Sequence, residues 1–254
     1  MPAPDSGDVL EKVLARASRD EATLGVLLKG SHAFDAADDE SDYDLIWVLT
    51  DAERERRRAE GESLHVKERC DGALLDIVYS SPASLGEAAD EPGWWSPGLA
   101  YSRVLLDKTG EVGERQRALA SMTEERARGQ AAECFDAYLN SFYRSMKAWR
   151  RGDELAGRIE AAESVMHLVR TLFSLERRWA PYPNRLRAEL PRLDVQGWPA
   201  GYLERVLLAV VSTGDPQLQQ ELEERAEAAL RERGFGHVVE SWDGEIERVK
   251  SFGF

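Results

Sequence analysis

The chain has 254 residues, which at about 100–200 residues per domain is one large domain or two ordinary ones. Forty-seven acids against 33 bases leave a formal charge of −14, which argues against a general nucleic-acid binder, because such proteins present a positive footprint to the duplex. Hydrophobic residues at 43% suffice for a core, and neither a run of the about 18–20 apolar residues needed to span a membrane nor a signal-peptide pattern is visible, so a soluble cytoplasmic protein is expected.

The acid excess is uneven. Residues 1–120 carry 25 acids and 14 bases, residues 121–254 carry 22 and 19, and the excess peaks at Asp35 to Asp44, where six carboxylates fall within ten residues. The two cysteines, Cys70 and Cys134, form no CxxC pair and support neither a disulfide framework nor a structural zinc site. They read as ordinary thiols, Cys134 within a helix core.

Along the chain, Val9 to Ala22 has an amphipathic helical pattern and leads into a short apolar strand, Leu24 to Lys29, that ends at Gly30-Ser31. A second strand follows at Tyr43 to Leu49, and the Glu/Arg run Glu53 to Glu62 reads as a solvated helix or loop. Ser63 to Arg69 and Leu74 to Tyr79 form a predicted hairpin turned at Asp71-Gly72, a dipeptide suited to positive φ. Ser81-Pro82 starts a helix, with serine as cap and proline where its missing N–H costs nothing. Arg103 to Leu106 is the last predicted strand, closed by Asp107-Lys-Thr-Gly.

After residue 120 nearly everything is helical. Between Thr123 and Arg151, Ala131, Phe135, Tyr138, Phe142, Met146 and Trp149 recur at helical spacing. Leu155, Ile159, Ala162, Met166, Val169 and Phe173 repeat the pattern beyond a break at Gly152-Asp153, which predicts an antiparallel helical hairpin. Ala180-Pro-Tyr-Pro ends the second helix, and helices at Tyr202 to Ser212, Pro216 to Arg233 and Val238 to Phe252 complete a bundle. The expected fold is therefore α+β: a small mixed-sheet domain over 1–120, then an α-helical domain over 121–254.

The chemistry concentrates in Gly30 to Leu49, GSHAFDAADDESDYDLIWVL. Asp42 and Asp44 are one residue apart at the head of an apolar strand, so the period of two puts both carboxylates on one face. Two such acids repel unless a cation lies between them, and a hard divalent ion such as Mg²⁺ takes oxygen ligands and completes its shell with water and phosphates. Gly30-Ser31 follows the preceding strand, where glycine permits close approach of the backbone and serine offers donors to phosphate oxygens.

Gly-Ser, the 11-residue spacing from Ser31 to Asp42, and the Ser-Asp-x-Asp-Leu that opens an apolar strand resemble the signature of the DNA polymerase β-like nucleotidyltransferase superfamily. The look is nearest to its small-molecule branch, the aminoglycoside adenylyltransferases. The resemblance covers about the first 110 residues, and it implies a nucleotidyltransferase domain followed by a helical one. It implies that Gly30 and Ser31 hold the phosphates of ATP or another nucleoside triphosphate and that Asp42 and Asp44 bind Mg²⁺. A third carboxylate is expected from a neighbouring strand, and Asp76 in Leu-Leu-Asp-Ile-Val-Tyr matches, as metal ligand or as the general base for an acceptor hydroxyl. An acid inside an apolar strand is costly without a cation or hydrogen bonds to face.

In-line attack of a hydroxyl on a phosphate needs charge neutralisation and positioning more than covalent chemistry, and a cation from the helical half would neutralise the departing pyrophosphate. Arg144, Lys147 and Arg151 form a basic stripe at helical spacing; a solvated face is its plain reading, and Lys147 is the candidate phosphate-binding residue. Glu133 and Glu163 have no motif around them and read as helix surface. His32 reads as a turn residue, and His65, His167 and His237 lack ligand or nucleophile spacing. Trp94-Trp95 and Trp179 to Arg185 could wall a base or sugar, though packing explains them as well. The function these features imply is Mg²⁺-dependent transfer of a nucleoside monophosphate, AMP from ATP, to a hydroxyl of a small molecule such as an aminoglycoside antibiotic. The alternatives are a nucleotide-binding or interaction module without turnover, and an enzyme that adenylylates a partner protein.

Overall fold

The structure, a computed structural model, describes residues 6–34, 36–90, 93, 95–195 and 198–254. Asp35 and Trp94 of the sequence reading lie outside them. The chain divides into two compact units, Met1–Ser121 and Met122–Phe254.

The first unit runs α1 (Ser6–Arg19), β1 (Thr23–Lys29), a 3-10 turn (Ser31–Phe34), β2 (Tyr43–Leu49), α2 (Asp51–Ala59), β3 (His65–Cys70), β4 (Ala73–Ser80), α3 (Pro82–Asp90), α4 (Ser96–Ala100), β5 (Arg103–Asp107) and α5 (Glu111–Ala120). The sheet order is β3-β4-β2-β1-β5. The β2–β4 pair is parallel and the other three are antiparallel, which makes the unit a mixed sheet with helices, the α+β class the sequence indicated. Asp71 and Gly72 turn the β3–β4 hairpin at φ 50° and 89°, the two successive positive values a tight hairpin turn requires.

The period of two divides the strand residues between two apolar layers. Val26, Leu28, Leu45, Trp47, Leu75 and Ile77 pack with Val9, Val13 and Ala17 of α1. Leu27, Ile46 and Val48 pack on the other face with Leu85 of α3 and Val112 and Leu119 of α5. Helix α5 is absent from the sequence reading because its start is hidden in what resembles a strand end. Asp107 accepts the backbone N–H groups of Thr109, Gly110 and Gly113. Burial would raise its carboxyl, but these donors hold it below the usual range. The acid that closes the last strand is thus a helix cap.

The second unit contains α6 (Glu124–Arg150), α7 (Glu154–Leu175), α8 (Leu186–Glu189), α9 (Tyr202–Thr213), α10 (Pro216–Glu232), α11 (Gly236–Glu240) and α12 (Glu245–Lys250). Thr123 and Asp153 cap α6 and α7 through their side chains. The α6 stripe is buried as the spacing predicts, with Trp149 packed at its margin.

On α7 the expected stripe holds at its C-terminal end, where Val169 and Phe173 are fully buried, and fails at its start, where Leu155 and Ile159 are 73% and 51% exposed; there the buried face runs through Gly157, Ala161 and Ser164. The cause is close approach: a Cβ on Gly157 would stand 2.7 Å from Trp149 Nε1, and Ser145 donates to the Gly157 carbonyl at 2.8 Å. The contact selects small residues, which a hydropathy pattern does not count as core. A second correction concerns the final predicted helix, which is two short ones. Asp243 at φ 47° and Gly244 at φ 78° separate α11 from α12. Cys134 is only half-buried and both cysteines are free.

Candidate functional site: an acid edge of the mixed sheet

Gly30 ends β1 in the left-handed region at φ 70°. A Cβ there would lie 2.0 Å from Asp44 Oδ2, so glycine is required twice, by the turn and by the carboxylate pressed against it. Ser31 opens the 3-10 turn, and its hydroxyl makes no hydrogen bond among the described residues.

Asp44 is the second residue of β2 and pairs in register with Lys29 of β1 and Asp76 of β4. Alternation puts Asp44 and Asp76 on the sheet face that also carries Ile46 and Val48. Asp42 lies just before β2 and has neither an ion pair nor a hydrogen bond among the described residues. The remainder of the acid run behaves as a solvated turn: Asp38, Asp39 and Glu40 are exposed, and the Ser41 hydroxyl donates to Asp38 at 2.8 Å.

Two lysines and a histidine stand at these acids, and sequence reasoning missed all three. Lys29 Nζ lies 2.8 Å from Asp44 Oδ1. Lys67 Nζ lies 3.1 Å from Asp76 Oδ2, and His65 Nε2 lies 2.6 Å from Asp76 Oδ1. With Asp76 ionised, that ring nitrogen carries the proton. Asp76 is 8% exposed. Burial pushes its carboxyl up, but the hydrogen bonds from Lys67 and His65 outweigh burial and hold it below the ordinary value. Lys67 is held above its ordinary value by the hydrogen bond to Asp76, and the fields of Asp42 and Asp44 act in the same direction. A signal for Lys67 was present: a hairpin turned at Asp71-Gly72 pairs Cys70 with Ala73 and hence Lys67 with Asp76.

The donor chemistry fits a hard divalent cation, since all three acids offer carboxylate oxygens, and the lack of a side chain at Gly30 lets the Asp44 carboxylate lie directly against the turn. As the side chains stand, no three ligating groups converge on one point among the described residues, and Lys29, His65 and Lys67 contact the oxygens of Asp44 and Asp76. His32 stacks on Tyr43 with ring centroids 3.9 Å apart, which gives it a packing role. Lys147 lies in the second unit on α6, 3.1 Å from Tyr143 Oη and 4.8 Å over that ring. Its neighbour in the basic stripe, Arg144, pairs with Glu160 at 2.5 Å.

The class thus defined is an α+β protein with a glycine turn beside carboxylates on the inner strands β2 and β4 of a mixed five-stranded sheet. Residues 99–185 match the family described as "Domain of unknown function (DUF4037)". No curated protein matches the chain. Among solved structures it is similar to a nucleotidyltransferase-like protein from Exiguobacterium sibiricum, with 12% identity and a TM-score of 0.46 over 96% of this chain and 78% of that one. No helix among the described residues is long and apolar enough to cross a membrane.

Proposed function

We propose that the first unit is a nucleotidyltransferase that moves a nucleoside monophosphate, AMP from ATP, to a hydroxyl of a small acceptor, with aminoglycoside-like molecules as the first acceptors to try. The observation that carries the reading is the contact between the Gly30 turn and the Asp44 carboxylate, which sets backbone donors and acids side by side. In this reading the Gly30 N–H and the Ser31 hydroxyl hold phosphate oxygens, and Asp42 and Asp44 would hold Mg²⁺. The ion would supply charge neutralisation at the reacting phosphate. For Asp76 to act as third ligand or as proton acceptor, His65 or Lys67 must release it. Both side chains are 57% exposed and have room to swing away. Lys147, hydrogen-bonded to Tyr143, remains a proposed pyrophosphate partner.

Calorimetric titration of the full chain with ATP, with and without Mg²⁺, tests the reading. Mg²⁺-dependent binding in the wild type and its loss in Asp42→Asn and Asp44→Asn are expected. Unchanged binding in both variants, or none in the wild type, would sink it. A second reading, a nucleotide-binding module without turnover, is favoured by the Lys29, His65 and Lys67 contacts, which leave Asp44 and Asp76 already neutralised. Nucleotide binding with no pyrophosphate release across a panel of hydroxylated acceptors would select it.

A further inference from the structure

A cavity of about 210 Å³ in the second unit is lined by Glu124, Ala127 and Arg128 of α6, Ser174 and Leu175 of α7, and Arg177, Arg233 and Phe235. Three guanidinium groups therefore border one small space. Each is fixed by an uncharged partner. Arg128 lies 5.0 Å over the Phe235 ring, Arg177 Nε donates to the Met122 carbonyl at 2.9 Å, and Arg233 donates to the Asp194 carbonyl at 2.9 Å.

None of the three pairs with a carboxylate among the described residues. Elsewhere in the same unit Arg144, Arg158, Arg178, Arg185 and Arg231 all do. In a chain of net charge −14, three positioned and unneutralised arginines on one cavity make a directed positive field. Glu124, in the first turn of α6, is the one acid of the lining; it is exposed, as are Arg128 and Arg177, while Arg233 is half-buried. Arg177 also holds a left-handed backbone at φ 58°, an uncommon conformation for a side chain of its size. The Met122 N–H fixes it by donating to the Arg177 carbonyl at 2.8 Å.

We propose that this cavity binds a phosphorylated small molecule, with its phosphate held by Arg128, Arg177 and Arg233. A phosphate monoester carries about −1.5 to −2 charge near neutral pH, and planar guanidinium forks match its oxygens pairwise. The rest of the ligand has a place to lie. An adjoining cavity of about 370 Å³ shares Leu175 and Arg233, has Leu172, Val195 and Ala229 as its apolar wall, and is rimmed by Glu176, Asp194 and Glu232. That combination suits a carbon skeleton bearing hydroxyl or amino groups. Every lining residue of the two cavities belongs to the second unit.

Pyrophosphate titrated into the full chain with EDTA present, at low ionic strength, tests it by calorimetry. One saturable site per chain is expected, weakened at least tenfold in Arg128→Gln and in Arg233→Gln and unaltered in Arg144→Gln. Arg233→Lys, which keeps the charge but loses the fork, should fall between, and it serves if a glutamine variant does not fold. The proposal is overturned by absence of saturable binding, by full affinity in the double variant R128Q/R233Q, by malonate binding as tightly as pyrophosphate, or by loss of binding in Asp44→Asn, which would move the site to the first unit.

Discussion

Replacing Gly30 by alanine probes the contact on which the functional reading rests. The new methyl would stand 2.0 Å from Asp44 Oδ2, 2.9 Å from its Cγ and 3.1 Å from its Cβ, so the carboxylate must swing away. An L-residue in the left-handed region costs about 1–2 kcal/mol. Moving Asp44 also gives up the Lys29 ion pair at 2.8 Å, whose members are about a quarter exposed, and solvent limits that loss to about 1 kcal/mol. The total is about 2–3 kcal/mol. Gly61→Ala is the control, because Gly61 has nearly the same φ, 73°, with nothing within 4 Å, and it should cost only the conformational share. Amide hydrogen exchange of β1 and β2 reads local stability without requiring the two units to unfold together. If Gly30→Ala costs no more than Gly61→Ala, or if Asp44→Ala fails to relieve the excess in the double variant, the close approach is not real.

The depressed Asp76 carboxyl contributes stability that is present above the ordinary carboxylate range and lost as pH falls through its folded value. Lys67→Met should shift the Asp76 titration upward in carboxyl-detected NMR. Glu223, fully buried on α10, behaves oppositely: burial pushes it up to about 7, against the pull of Lys250. Stability on its account is full below the ordinary carboxyl value and declines as pH rises toward about 7, by roughly 1–3 kcal/mol. Urea midpoints of Glu223→Gln should show a flatter slope between pH 5 and 7.5, and a slope equal to the wild type would refute the assignment. On α7, Leu155→Gln should change stability by no more than about 0.5 kcal/mol, whereas Leu168→Ala should cost about 2–5 kcal/mol; equal costs in thermal melts would restore the sequence-derived phase.

What could be read beforehand divides along a physical line. Features written in local spacing were legible: the Asp71-Gly72 hairpin and the Thr123-capped helix with its aromatic stripe; the acid on a strand beside Asp44 was expected only from the family resemblance. Features set by what lies across a contact were not. Lys29 and His65 become partners of the acids only through the fold, and no ligand spacing surrounds His65 in sequence; Lys67 alone could be reached, by counting back from the Asp71-Gly72 turn. The α7 stripe holds at Val169 and Phe173 but not in the first turns, because Gly157, Ala161 and Ser164 pack there through smallness, which periodicity of hydrophobic residues cannot register. Helix α5 was missed because its cap, Asp107, sits at the end of a strand.

Strand β3 lies at the margin of the sheet, with one side of its backbone not hydrogen-bonded to a neighbouring strand. Its exposed positions are His65, Lys67 and Arg69. An additional strand laid alongside would have to bring its own side chains against this basic row, and a second copy of β3 would set like charges opposite each other, which is unfavourable. Lys67, which pairs with Asp76, therefore also works against edge-to-edge pairing at β3. Substitutions that strip Lys67 of its charge put solubility at risk as well as the acid edge, and preparations of such variants should be checked for aggregates before any loss of binding is ascribed to the site.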